Sequence, residues 1–199
     1  NCTHTFVILS KKRMKIIFSP KCLEYKIPGH PESPERVKIC HDFLENKKDS
    51  IKLEFVTTEA CSDEDILLVH SKELLDKVKK GNFSDPDTPN ISGIFEYASL
   101  SAGAAIKAAQ IALDEKEFAF SLMRPPGHHA GKNSMGGFCY FNNIAIAIKK
   151  VMDRVKKTAI LDLDCHHGNG TEDIFLGVSN VLYISLHQSP LYPGTGLTS

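Results

Sequence analysis

The sequence predicts one α/β domain with a mostly parallel central sheet. Short apolar segments alternate along the chain with longer segments whose apolar residues recur at helical spacing, which is typical of this class. Hydrophobic residues make up 42% of the 199 residues, enough to build a sizeable core. We find no internal repeat, low-complexity tract or linker in the sequence that would support a second domain.

Strands and helices can be assigned in order from these patterns. Ser33, Pro34 and Glu35 form a helix start, since serine caps free N–H groups, proline fits the first turn and an acid favours the helix dipole. The segment 158–163 is mostly apolar, as in strands buried on both faces. Strands are predicted over 15–18, 53–56, 118–122, 158–163 and 181–186, and helices over 34–47, 62–68, 71–80, 93–113 and 140–155.

Charge and cysteine content narrow the class of function. Lys+Arg and Asp+Glu both number 24, so bulk charge gives no reason to expect direct binding to nucleic acid or to an anionic membrane. The six cysteines form no C-x-x-C pair and no disulfide-like spacing, which predicts free thiols and a cytoplasmic location. Residues 1–13 are expected to be an extra N-terminal segment, because Met14 begins MKIIFSP, which resembles a natural start followed at once by a strand. The basic residues of 1–13 follow the apolar patch, which is the wrong order for a signal peptide.

Ligand-type side chains follow two predicted strands at their carboxyl ends, where open α/β sheets bind ligands. The earlier loop carries His128 and His129, and the later one carries Asp162, Asp164 and His166. The last three alternate, so an extended backbone would point them to one side. A carboxylate and an imidazole can hold two positions of a tetrahedral zinc site. From spacing alone, a polar loop with a capping role is an equally good interpretation.

The adjacent histidines suit proton transfer beside a metal, because in a loop both rings can face one cavity. Each ring needs a partner on its other nitrogen to fix its tautomer, and Asp162 and Asn169 are the candidates. The alternatives are that His128 and His129 bind zinc themselves or are ordinary loop residues. Cys165 could be a soft zinc ligand, but alternation points it away, and we expect it to be a small buried residue.

Several motifs in register resemble the zinc-dependent histone deacetylase family, which also includes acetylpolyamine amidohydrolases. They are RPPGHHA at 124–130, GFCYFNN at 137–143, DLDCHHGNGTED at 162–173 and SLHQSPLYPGTG at 185–196, with HPESPERV at 30–37 and DTPNISGIFEYA at 87–98 fitting the N-terminal pattern. Asn169, at a position where many members carry Asp, makes this motif similar to that of the class II branch of the family. The resemblance implies an arginase/deacetylase-like three-layer fold and zinc-dependent hydrolysis of N-acetyl amides to acetate and free amine.

The resemblance also implies roles for single residues. Asp164 and His166 match two zinc ligands. His129 matches the general base, and His128 matches a mainly electrostatic partner. Asp162 matches the carboxylate that bonds the first histidine, and Asn169 matches the residue that orients the second.

Two further sets of residues follow from the same resemblance. Asp162, Ser185 and Leu186 match contacts of a structural potassium ion. The substrate-binding residues are Gly137 and Phe138 in a tunnel wall, Asp87 at the rim and Arg36 in an internal cavity. The implied substrates are acetylated lysine or an acetylated polyamine, and a homo-oligomer is left open.

The family pattern also contains a third zinc ligand, an Asp, and an oxyanion-stabilising Tyr, which we expect beyond Ser199. Residues 14–199 are therefore expected to be the N-terminal part of a deacetylase domain that lacks its C-terminal strands and is inactive alone. Two alternatives remain. A two-metal ureohydrolase of the arginase type favours Asp-x-His-x-Asp, whereas this chain has Asp162-x-Asp164-x-His166. A non-catalytic acyl-lysine-binding relative is disfavoured by the intact histidine pair.

Overall fold

The structure, a computed structural model, describes residues 13–197. Its strands form two parallel sheets, which confirms the predicted α/β class. In the first sheet β1 lies between β2 and β3, and in the second β4 pairs with β5. The strands are β1 (Met14–Ile17), β2 (Leu53–Val56), β3 (Phe118–Ser121), β4 (Thr158–Asp162) and β5 (Val181–Ser185).

Six α-helices surround these sheets within the described range. Ser62 begins one of them with a capping box, in which its hydroxyl accepts from the Asp65 N–H and the Asp65 carboxylate accepts from the Ser62 N–H. They are α1 (Pro34–Lys47), α2 (Asp63–Leu67), α3 (Lys72–Lys79), α4 (Ile94–Asp114), α5 (Asn143–Val151) and α6 (Asn169–Phe175), with 3-10 turns at Pro20–Leu23 and Met152–Arg154.

Two helix predictions are corrected by the structure. The helix predicted over 140–155 begins only at Asn143, because the Asn142 side chain caps it by accepting from the Ala145 N–H at 3.1 Å. Its last predicted residues form the 3-10 turn instead. The segment 164–170, predicted as a loop, contains the start of α6 at Asn169.

The main core lies between α4 and α5. Ala98 and Ala102 of α4 are buried, and these small side chains allow close approach to Ile146 and Ala147 of α5. The Ala-rich composition of α4 therefore serves packing. No helix in the described part of the chain is long and apolar enough to cross a membrane.

The β4–β5 sheet departs from the prediction that its strands are buried on both faces. On one face Ile160 packs with residues of α5 and α6. On the other, apolar side chains are exposed, because no described residue covers them: Leu161, Leu163, Leu182, Ile184 and Leu186. The prediction for residues 1–13 concerns a segment that lies outside the described residues, except for Arg13.

Candidate active site

The loop after β3, residues 124–131, carries both adjacent histidines and is anchored at its start by a buried ion pair. Arg124 is only 1% exposed, and its Nε and Nη2 donate to the two Glu32 carboxylate oxygens, each at 2.7 Å. Its Nη1 donates to the carbonyls of Cys22 and Tyr25 at 2.7 and 2.9 Å. A buried charge requires such partners, so Arg124 fixes this end of the loop. Our sequence analysis missed this anchor.

The other end of the loop is held by a buried histidine that the sequence analysis also missed. His70 Nδ1 donates to the Gly131 carbonyl at 2.9 Å, and its Nε2 accepts from the Asn142 N–H at 2.9 Å. Burial lowers the pKa of His70 to about 4, so the ring is neutral near pH 7. The Asn142 amide also donates to the Ala130 carbonyl at 3.0 Å.

The histidine pair has the partners that the resemblance implies. His128 Nδ1 lies 3.0 Å from Asp162 Oδ2, and His129 Nδ1 lies 2.8 Å from Asn169 Oδ1. The two rings are 4.0 Å apart between centroids. Burial acts to raise the pKa of Asp162, but the hydrogen bond with His128 and the charge of that ring outweigh it and leave the pKa below its usual value. Asp162 is thus a carboxylate that supports positive charge on His128.

His129 is arranged to act as a base. Its pKa is lowered to about 4, first by burial and then by the neighbouring charge of His128. The Asn169 amide oxygen accepts a hydrogen bond from the Nδ1–H of His129 and carries no negative charge. The lone pair of the ring therefore lies on Nε2. A neutral imidazole with that tautomer can accept a proton at neutral pH.

The loop after β4 carries the candidate metal ligands. Asp164 Oδ1 accepts from the His166 N–H at 2.8 Å and lies 3.0 Å from His166 Nδ1. Burial acts to raise the pKa of Asp164, but the hydrogen bond from the His166 backbone and the charge of His128 hold it below its usual value. A carboxylate oxygen and an imidazole nitrogen converging in this way fit a zinc ion, which takes such donors.

This loop corrects two details of the sequence analysis. The backbone is extended only as far as Asp162 and bends over 164–166, so strict alternation does not bring Asp164 and His166 together. For the same reason Cys165 is not a small buried residue. It is exposed and lines a cavity together with Asp164 and His166.

Both loops face one cavity of about 450 Å³. Asp164 Oδ1 lies 4.0 Å from His128 Nε2, and the rings of His129 and His166 are 6.0 Å apart. All four residues predicted to bind substrate also line this cavity: Arg36, Asp87, Gly137 and Phe138. The structure therefore gathers both loops and the predicted substrate-binding residues at one place.

Two aromatic side chains form walls of the cavity. The Phe138 N–H donates to Thr88 Oγ1 at 3.1 Å, and the ring packs edge-on against His30 at 4.8 Å. Gly137 has φ +52°, and a Cβ there would overlap the His129 ring, so only glycine lets the chain pass. The second aromatic, Tyr192, packs edge-on against His129 at 5.0 Å. The sequence analysis missed Tyr192, although its motif YPGTG was in view.

Comparison with known proteins agrees with this geometry. Residues 30–199 match the pattern of the Histone deacetylase domain. The chain belongs to the histone deacetylase family. It is 43% identical over 190 residues to a "Probable deacetylase" of Archaeoglobus fulgidus, covering 91% of this chain and 53% of that protein. It is 41% identical over 173 residues to a "Histone deacetylase-like amidohydrolase" of Pseudomonas aeruginosa, covering 83% and 46%.

A solved structure supports the same fold. The crystal structure of the HDA15 HD domain superposes with a TM-score of 0.85 and 31% identity, covering 93% of this chain and 56% of that one. The arginase/deacetylase-like fold is thereby confirmed. The chain spans about half the length of the curated relatives it matches.

The residues that the family resemblance assigns to potassium lie together at the carboxyl end of the second sheet. Asp162 and Ser185 are register partners, and the Leu186 N–H donates to the Asp162 carbonyl at 3.0 Å. Ser185 Oγ lies 2.8 Å from His187 Nδ1. The three residues therefore lie side by side at the end of the sheet, and the potassium ion itself stays a prediction.

Proposed function

We propose that the protein hydrolyses N-acetyl amides of lysine or of polyamines to acetate and a free amine, in a zinc-dependent reaction. Family membership supports the deacetylase or amidohydrolase class. The observation that carries the proposal is the single cavity faced by two partnered histidines, His128 and His129, and by Asp164 and His166.

Asp164 and His166 would hold the metal. When bound, zinc lowers the pKa of a coordinated water to about 7 and polarises the acyl carbonyl. The remaining chemistry belongs to the chain's own side chains. Nε2 of His129 takes the proton from the attacking water and later gives a proton to the departing amine. His128, paired with Asp162, stabilises the negative charge that develops on the acyl oxygen.

The walls of the cavity suit an unbranched substrate. Phe138 and Tyr192 offer apolar ring surface for an aliphatic stem. Asp87 is exposed and lines the cavity, where its carboxylate can accept a hydrogen bond from the substrate's backbone or amine. Arg36 Nη1 lies 3.8 Å from Glu32 Oε1, and the guanidinium contributes a positive charge to the same cavity. A potassium ion at Asp162, Ser185 and Leu186 would stabilise the start of the loop that carries Asp164 and His166.

The two alternative functions are less well supported. Relatives at 43% and 41% identity carry deacetylase or amidohydrolase names. The partnered histidine pair is a proton-transfer device, which a module that only binds acyl-lysine does not need.

The test is acetate release from an acetyl-lysine peptide and from an acetylated polyamine by a zinc-loaded, full-length deacetylase domain that contains these residues, because residues 14–199 are expected to be inactive alone. We expect His129→Ala to lower kcat by about 10²–10⁴-fold, the usual contribution of general base catalysis. His41→Ala, on α1 and away from the cavity, is the matched control. Unchanged turnover in the His129 variant, or full activity after chelation of the metal, would contradict the proposal.

A further inference from the structure

A second pair of histidines lies near the cavity, apart from His128 and His129. The rings of His167 and His187 are 4.7 Å apart between centroids. His167 is only 3% exposed, and His187 is partly buried. Neither ring lines the cavity, and the proposed reaction uses neither of them. Both rings contact the loop that follows β5, residues 187–197.

His187 closes this loop onto itself. Its Nε2 lies 3.0 Å from the Gly196 carbonyl oxygen, which can only accept, so Nε2 carries the proton and donates it. In the neutral ring Nδ1 then accepts from the Ser185 hydroxyl at 2.8 Å, which ties His187 to the end of β5. One side chain thereby joins the two ends of the loop.

His167 fastens the same loop to the loop after β4. Its Nδ1 lies 2.8 Å from Thr195 Oγ1. Gly196 passes directly beside both rings, because a Cβ added there would lie 2.7 Å from His167 Cγ and 2.6 Å from His187 Nε2. Real Cβ atoms do not approach their neighbours so closely, so the two rings fix the path of the chain at this point.

Tyr192 lies between the two fastened ends of the loop. Its side chain is 44% exposed, so burial contributes little to holding the ring in place. The ring nevertheless lines the cavity and packs edge-on against His129 at 5.0 Å. Its position against His129 therefore depends on how the ends of the loop are held.

We propose that His167 and His187 are positioning residues, which hold the loop 187–197 so that Tyr192 forms a wall of the cavity. In one respect the inference rests on the proposed function, since the wall guides a substrate only if the cavity takes the aliphatic stem of an acetylated amine. Both histidines act through Tyr192. Removing either ring should let Tyr192 move away from His129 and widen the cavity.

The first test is ¹⁹F NMR of the chain labelled with 3-fluorotyrosine, in which Tyr192→Phe and Tyr140→Phe identify two of the five tyrosine resonances. We expect His167→Ala and His187→Ala to shift the Tyr192 resonance toward that of free 3-fluorotyrosine. The resonance of Tyr140, which is 2% exposed in the main core, should stay in place. Circular dichroism checks that each variant is folded.

Conservative variants separate positioning from a general loss of structure. In His167→Asn the amide can replace the Nδ1 contact with Thr195, and in His187→Gln it can replace the Nε2 contact with Gly196. Both should return the Tyr192 resonance toward its parental position. A resonance that shifts equally in the alanine and the conservative variants would overturn the inference.

Two glycines of the loop provide a matched comparison that leaves the histidines intact. Gly194 and Gly196 have φ of +81° and +71°, so alanine strains the backbone to a similar extent at both. Among the described residues, a Cβ at Gly194 meets no atom within 4 Å, whereas one at Gly196 meets both rings. We expect Gly196→Ala to shift the Tyr192 resonance more than Gly194→Ala does. Equal shifts would mean that the rings do not set the path of the loop.

The second test measures kinetics on a zinc-loaded, full-length deacetylase domain that contains these residues. His187→Ala should raise KM for an acetyl-lysine peptide by about 4- to 15-fold, the value of one or two methylene groups left uncovered. It should change kcat less, because the wall binds the stem in the ground state and the transition state alike. His41→Ala is the control. A fall in kcat with KM unchanged would overturn the role of a substrate wall.

The two tests distinguish failure of the inference from failure of the proposed function. A Tyr192 resonance that stays in place in folded His167→Ala and His187→Ala overturns the inference, whatever the activity of the domain. A domain that does not release acetate, with a Tyr192 resonance that moves as expected, overturns the proposed function and leaves the positioning of Tyr192 supported.

Discussion

The histidine loop (124–131) and the ligand loop (163–168) face the same cavity but are built differently. Arg124 and His129 are 1% and 6% exposed, and Glu32 and His70 hold the histidine loop from outside it. In the ligand loop the side chain of Asp164 is 49% exposed, and its hydrogen bonds are to His166, two residues away. The two histidine side chains are thus positioned by buried contacts with distant parts of the chain, whereas the side chains of Asp164 and His166 bond mainly to each other.

This difference indicates that the two halves depend on different sources of order. The histidine loop is positioned by buried polar contacts, which cost several kcal/mol when broken. We expect the ligand loop to be stabilised further if a metal binds there, because the binding free energy would also stabilise the folded loop. Substitutions should therefore affect global stability in the first loop and metal affinity in the second.

The largest expected effect is at the buried ion pair. Glu32→Gln leaves the Arg124 charge without its counter-ion, so we expect a loss of about 3–5 kcal/mol in the free energy of unfolding. Asp42→Asn, which breaks an exposed pair with Lys38 on α1, is the control and should cost about 0–1 kcal/mol. Urea unfolding monitored by circular dichroism measures both. Equal losses would mean that the histidine loop is not anchored in this way.

The next largest effect is the loss of stability at acid pH that we expect from the buried His70. The pKa of His70 is about 4 in the folded chain, and about 6.5 in an unfolded one. Between those values the unfolded state binds more protons, so stability falls as pH falls through this window, by up to about 3 kcal/mol.

Unfolding of the parent and of His70→Gln at pH 8, 6 and 4.5 tests this expectation. The variant should lose the His70 contribution and show a shallower pH dependence. Identical slopes in both proteins would refute the assignment.

A smaller effect is expected at the partner of the base. Asn169→Asp places a negative charge beside Nδ1 of His129, which stabilises the imidazolium and raises the pKa of His129 above about 4. The added charge should stabilise the imidazolium of His129 by about 1–2 kcal/mol. Ring-proton NMR titration measures it, with Asn180→Asp, at the opposite end of β5, as the control. A His129 pKa that stays in place would show that Asn169 does not set its protonation.

The smallest effect on stability is expected in the ligand loop. His166→Ala should change the free energy of unfolding of the metal-free chain by no more than about 0.5 kcal/mol, because the ring is partly exposed and bonded locally. The same variant should lose metal binding. Thermal melts with and without Zn²⁺ measure both properties, and a loss of several kcal/mol without metal would erase the contrast between the loops.

Local sequence patterns predicted most of the fold but not its long-range pairs. The strand predicted at 53–56 matches β2. Helix α6 was missed because Gly168, Asn169 and Gly170 are poor helix formers. This helix is held from outside, since the Thr171 N–H donates to the His128 carbonyl at 3.0 Å. Tertiary contact here overrides propensity.

The candidate site shows the same limit. The motifs predicted the histidine partners, since Asp162 and Asn169 lie in the motif that follows β4. The Glu32–Arg124 pair joins residues 92 apart in sequence, and no local pattern reveals such a contact. The orientation of Cys165 was misjudged because strand alternation was extended past Asp162, where the backbone already bends.

The central claim is that one cation can bind to Asp164 and His166 in the cavity that His128 and His129 also line. Its most direct test is a Zn²⁺ titration of this chain followed by ¹⁵N NMR of the histidine rings. We predict that the resonances of His128, His129 and His166 change together at one equivalent, that those of His41 stay fixed, and that Asp164→Asn abolishes the response. Changes at unrelated histidines, or at the three rings over separate ranges of zinc concentration, would contradict a common site.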